Sequence, residues 1–145
     1  MRAASGFPLL PALLLSFSAC QKPAALPPGL FPENAAGGWH RTADRELPVS
    51  EAPDPVPRTS VDRLQIASYD GPGHLQARVY ALSSPAVGLD LAQRWRPSAD
   101  TVFFNRGRFF VVVKWQTAER KPLEAFIHQL EQSLGPNQPP PNQPN

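Results

Sequence analysis

The chain has one cysteine, Cys20, in 145 residues, so no internal disulfide can staple a fold. Its three histidines, His40, His74 and His128, lie in separate segments, and no pair has metal-ligand spacing. That pattern excludes a zinc centre of the usual kind, and no cofactor is expected. There is no Gly-x-Ser-x-Gly segment, and Asp70-Gly-Pro-Gly lacks the lysine and following helix of a phosphate-cradling loop. None of the twelve acids stands apart as a catalytic pair. Charge of one sign is scarce as well. The formal net charge is +2, or +1 once Arg2 leaves with a leader, which gives no reason to expect nucleic acid as a partner. The absences together predict a protein that is not an enzyme.

What is present begins with an address. Arg2 precedes the apolar run Phe7–Phe17, which is too short to span a bilayer well. Ser18 and Ala19 then lead directly into Cys20. This pattern resembles a bacterial lipoprotein signal, in which cleavage before the cysteine leaves its thiol to carry diacylglycerol. The resemblance implies a signal peptide over residues 1–19, lipidation at Cys20, and a membrane partner held through several acyl chains. Gln21 stands where an inner-membrane retention signal typically places Asp. By the same resemblance, the chain belongs in the cell envelope, on the outer membrane and facing the periplasm.

The 19 prolines are unevenly placed. Eight fall between Lys22 and Arg58 and five in the last ten residues. Residues 20–59 therefore read as a Pro-rich tether, extended and without a hydrophobic period, with a reach on the order of 100 Å. Phe31 and Trp39 interrupt it, and are expected either to fold back onto the domain edge or to dock a partner. Residues 136–145, PNQPPPNQPN, are polar and proline-broken, and are expected to be a disordered tail.

Between them, residues 60–135 carry the hydrophobic clusters of a small folded unit of about 75 residues. Val61–Tyr69 and His74–Leu82 alternate as strands around a Gly-Pro-Gly turn, with Leu75, Ala77, Val79 and Ala81 inward and Tyr80 outward. Ser84-Pro85 opens a helix through Val87, Leu91 and Trp95, stopped by Pro97. Thr101–Trp115 is a second hairpin, apolar on both faces of its second strand. Leu123, Phe126, Ile127, Leu130 and Leu134 form the stripe of a last helix that ends at Gly135. The expected fold is α+β: a four-stranded antiparallel sheet in β-β-α-β-β-α order, with two helices on one face. The Phe110 and Val112 face is then left needing a cover, either the Phe31–Trp39 segment or a partner.

Candidate binding residues are Trp39, Tyr80, Arg94, Arg106 and Arg108. These arginines, together with Arg96, would form a basic patch for an anionic glycan or lipid headgroup if they approached one another. Gly38-Trp39, Ala67-x-Tyr69-x-Gly71, Leu75-x-Ala77-x-Val79-Tyr80 and Ala92-Gln93-x-Trp95 resemble a domain-of-unknown-function family of bacterial exported lipoproteins. The likeness covers about Leu30–Leu134. It implies an α+β domain with no assigned reaction and carries over no catalytic residue. The leading expectation is a lipid-anchored, non-catalytic envelope accessory or binding module. Its rivals are an assembly partner that docks another envelope protein through its Pro-rich segments, and a small hydrolase that would need His74 in a pocket beside a serine or an acid.

Overall fold

The computed structural model describes residues 25–135, so the leader, Cys20 and the Pro/Asn/Gln tail lie outside the described residues. The elements run β1 (Asn34–Ala35), β2 (Trp39–Leu47), β3 (Val61–Asp70), β4 (His74–Leu82), α1 (Pro85–Arg94), β5 (Thr101–Arg106), β6 (Phe109–Gln116) and α2 (Arg120–Ser133). They build one curled, half-barrel antiparallel sheet of six strands in the order β1-β2-β3-β4-β6-β5.

This corrects the four-stranded β-β-α-β-β-α expectation. From Val61 onward, strands and helices lie where the alternation and the helical stripe place them. The two further strands come from the stretch read as a tether. Strand β2 pairs with β3 from His40↔Asp70 to Leu47↔Leu64, with a bulge between Arg41 and Ala43. Its sequence, WHRTADREL, is mostly exposed, so it lacks the apolar alternation by which strands are recognised.

The helices also differ from the expectation, because they cover opposite faces of the sheet. On the first face, Trp39, Tyr69, Leu75, Ala77, Val79, Val111 and Val113 pack against Leu123, Phe126, Leu130 and Leu134 of α2. Leu30, Phe31 and Ala35 belong to the same cluster, with Leu26 against its margin. The ring of Phe126 meets Tyr69 edge-on at 4.9 Å and Trp39 at 6.4 Å. On the second face, Leu64, Tyr80, Leu82 and Phe110 pack against Leu91 of α1 and against Ala52 and Val56 from the β2–β3 connection. The cover for Phe110 and Val112 is therefore α1, Trp95 and a proline-rich crossing, while Phe31 and Trp39 serve the other face.

Prolines suit that crossing. Pro48, Pro53 and Pro57 flank two short 3-10 turns, Val49–Glu51 and Arg58–Ser60, where a fixed φ costs little chain entropy. The Arg58 Nε donates to the Ala52 carbonyl at 2.8 Å and ties the crossing together.

Candidate functional site

The second face is covered only where α1 and the proline-rich crossing reach. Toward the far end of β4 and β6 it lies open. Because side chains alternate along a strand, the ladder register fixes what stands there. One cross-strand row runs Arg45, Ile66, Arg78, Val112, Phe103. The next runs Ala43, Ser68, Gln76, Lys114, Thr101. Val112 and Phe103 pack on the second cluster, which assigns both rows to this face.

A cleft of about 260 Å³ occupies the open part. Its floor is Gln76, Arg78, Val112 and Lys114, and its walls include Tyr80, Trp95, Ser98, Thr101 and Pro53. An adjoining cleft of about 340 Å³ shares Gln76 and Lys114 and continues to Ser68, Asp70 and His74. The two form a continuous run of polar side chains along the β4–β6 seam.

Charge is unevenly balanced along this run. Arg41, Arg63, Arg94, Arg106, Arg108 and Arg120 each stand within ion-pair distance of an Asp or Glu. Arg78 and Lys114, like Arg45, Arg58, Arg96 and Lys121, have no such carboxylate among the described residues, and of these six it is Arg78 and Lys114 that line one cleft together. Two cations one register step apart on adjacent strands repel one another modestly, and an anion seated between them would relieve that repulsion. Tyr80 is the next residue after Arg78 on this face of β4 and lines the same cleft. Burial raises its hydroxyl above the ordinary tyrosine value, and the neighbouring Arg78 guanidinium pulls it partway back. Tyr80 is therefore neutral at physiological pH. The Trp95 indole lies 5.2 Å from the Phe110 ring and 6.3 Å from Phe103. Its Nε1 is shielded from solvent and has no hydrogen-bond partner. An orphaned buried donor costs about 1–3 kcal/mol, so Trp95 carries a donor that a shift of its ring could satisfy.

The residues singled out from the sequence are placed differently. Trp39 is fully buried and its Nε1 donates to the Pro122 carbonyl at 2.9 Å, so it is a core residue. Arg94 grips Asp90 on its own helix at 2.9 and 2.5 Å. Arg106 pairs with Glu131 at 3.3 Å, which pins the second hairpin to α2. Arg108 donates to the carbonyls of Leu82 and Ser83 and pairs with Asp62, clamping β6 to β4. All three arginines are therefore engaged in the fold, while Tyr80 keeps to the face opposite Leu75 and Val79 but is buried there, because that face is covered as the second core, and it also lines the cleft. Cys20 lies outside the described residues.

Arg78 and Lys114 were missed as a site because only the β4–β6 register brings them together. The available signal was a lysine interrupting the apolar run Phe109–Trp115. His74 begins β4 and stands 2.5 Å from Asp70 through its Nδ1, largely exposed at the cleft's outer end. Among the described residues, no group of three His, Cys, Asp or Glu is placed to hold a metal. Among them, too, no helix is long and apolar enough to cross a membrane. No family model, curated protein or solved structure matches the chain.

Proposed function

We propose that this protein is a lipid-anchored, non-catalytic binding module of the bacterial cell envelope that holds an anionic ligand in the Arg78–Lys114 cleft. The observation that carries the reading is a pair of cations brought together in one cleft of the open sheet face, with no ion-pair partner among the described residues, beside Gln76, Ser98, Thr101 and Trp95. Phosphate or carboxylate groups on a glycan or lipid headgroup fit that donor set, because charged and neutral donors converge on one side. The Cys20 signal supports the location, on the outer membrane and facing the periplasm. Tyr80, Val112 and Trp95 give the cleft an apolar floor and wall, on which the non-ionic part of such a ligand would rest.

Calorimetric titration of the purified full chain with pyrophosphate tests the reading. A charge-assisted hydrogen bond contributes about 1.5–3 kcal/mol, so Arg78→Gln and Lys114→Gln should each weaken binding about tenfold or more. Binding should also weaken as salt is added. Equal affinity in wild type and both variants would overturn it.

A further inference from the structure

We propose that β5 is the contact strand of a homodimer, in which two copies pair their β5 strands antiparallel about a twofold axis at Phe103. The sheet has two ends, and they are built differently. At one end, β2 carries Arg41, Asp44, Arg45 and Glu46, is bulged, and is partly capped by β1. Charges, bulges and caps are the devices that stop an edge strand from pairing further. Strand β5, at the other end, has none of them. Residues 101–105, TVFFN, contain no charge, proline or glycine, and Arg106 is occupied by Glu131.

Both hydrophobic clusters also run out at this strand. Val102 and Phe104 lie against the first and Phe103 against the second, each only partly buried. A second β5 would extend both cores at once.

The register is determined by the hairpin. Trp115 N–H donates to the Asp100 carbonyl at 3.0 Å, and Arg106 and Phe109 close the turn as register partners. Hydrogen bonding to β6 alternates along the strand, so it falls on Val102, Phe104 and Arg106. The backbone N–H and C=O groups of Thr101, Phe103 and Asn105 then point outward, and no strand among the described residues meets them. Only residues of that set can pair across a new antiparallel seam. A twofold axis at Phe103 is the one that pairs all three of these residues with one another, setting Phe103 opposite its own copy and Thr101 opposite Asn105, whereas an axis at Val102 or Phe104 pairs only two of them. Polar residues face polar ones at the ends, and aromatic faces aromatic at the centre. The axis is perpendicular to the sheet, so both copies would present their Arg78–Lys114 clefts on the same side.

The test uses the full chain in detergent with Thr101→Cys and Asn105→Cys introduced together. These positions pair across the proposed axis at about 5.5 Å between Cα atoms, within disulfide range. Mild oxidation should give a covalent dimer at least tenfold above wild type, whose only thiol site is Cys20, and above a chain carrying Arg120→Cys on exposed α2. Light scattering of the unmodified chain should report twice the chain mass. Asn105→Pro, which deletes an outward N–H but none to β6, should halve it. Crosslinking no greater than with Arg120→Cys, or a single-chain mass for wild type, would overturn the proposal. If Asn105→Pro does not fold by circular dichroism, the cysteine pair decides alone. Arg78→Gln leaves the β5 edge intact and should leave the mass unchanged, so failure of the dimer and failure of the cleft can be told apart.

Discussion

Gly37 stands where the β1–β2 turn presses on the start of α2. Its φ is +92°, and a Cβ there would lie 2.5 Å from the Pro122 carbonyl oxygen. The same carbonyl accepts the Trp39 indole proton, so turn, strand and helix meet at one peptide. Gly37→Ala should cost about 2 kcal/mol through overpacking and strain, near 10 °C of Tm for a domain of this size. Gly29 has a positive φ too but open space around it, so Gly29→Ala should cost clearly less. Thermal melts of the two variants check the order, and equal losses would contradict it. Tyr69 gives a second prediction at this scale. Burial pushes its hydroxyl up to about 12, and it donates to the Pro32 carbonyl at 2.9 Å. The folded value lies above the unfolded value of about 10. The stabilisation is therefore complete below pH 10 and is lost as pH climbs from 10 toward 12. Urea midpoints of Tyr69→Phe should fall less steeply than wild type across that window, and parallel curves would contradict the assignment.

Elements were legible in the sequence in proportion to how much of one face they bury. Helix α2 was readable because Leu123, Phe126 and Leu130 are all buried at helical spacing. Strand β6 was readable as two-faced because Val111 and Val113 enter one core while Phe110 enters the other. Strand β2 left no comparable trace. Only Trp39 in it is buried, and its residues from Thr42 to Glu46 face water, so its strand character comes from pairing with β3. The placement of the helices on opposite faces was equally hidden, since each stripe shows that a face is buried but not which sheet face it meets. The expected start of the domain at residue 60 can be tested directly. A chain beginning there lacks Leu30, Phe31, Ala35, Trp39, Ala52 and Val56, all buried. Removing six core side chains exceeds the usual margin of stability, so no cooperative melt should be seen. A transition within a few degrees of the full chain would contradict this.

For the whole molecule, packing of the N-terminal segment changes the geometry of the proposed anchor. Leu26 already rests on the first cluster, and Leu30 and Phe31 lie in it. The six residue-to-residue steps from Cys20 to Leu26 span at most about 20 Å, well short of the 100 Å expected of a tether running to Arg58. A module anchored at Cys20 would work at the membrane surface. The cleft, like the anchor proposed for the chain, was only partly legible. Arg78 and Lys114 lie 36 positions apart, and the anionic character of the proposed ligand rests on their having no carboxylate within ion-pair distance among the described residues. That claim is tested most directly by following the indole N–H resonances of the full chain while inorganic phosphate is added. The Trp95 signal, at the cleft, should shift and saturate, while that of Trp39, bonded to Pro122, stays in place. The shift should disappear in the Arg78→Gln, Lys114→Gln double variant. A Trp95 signal that does not move, or that moves equally in the double variant, would contradict the account.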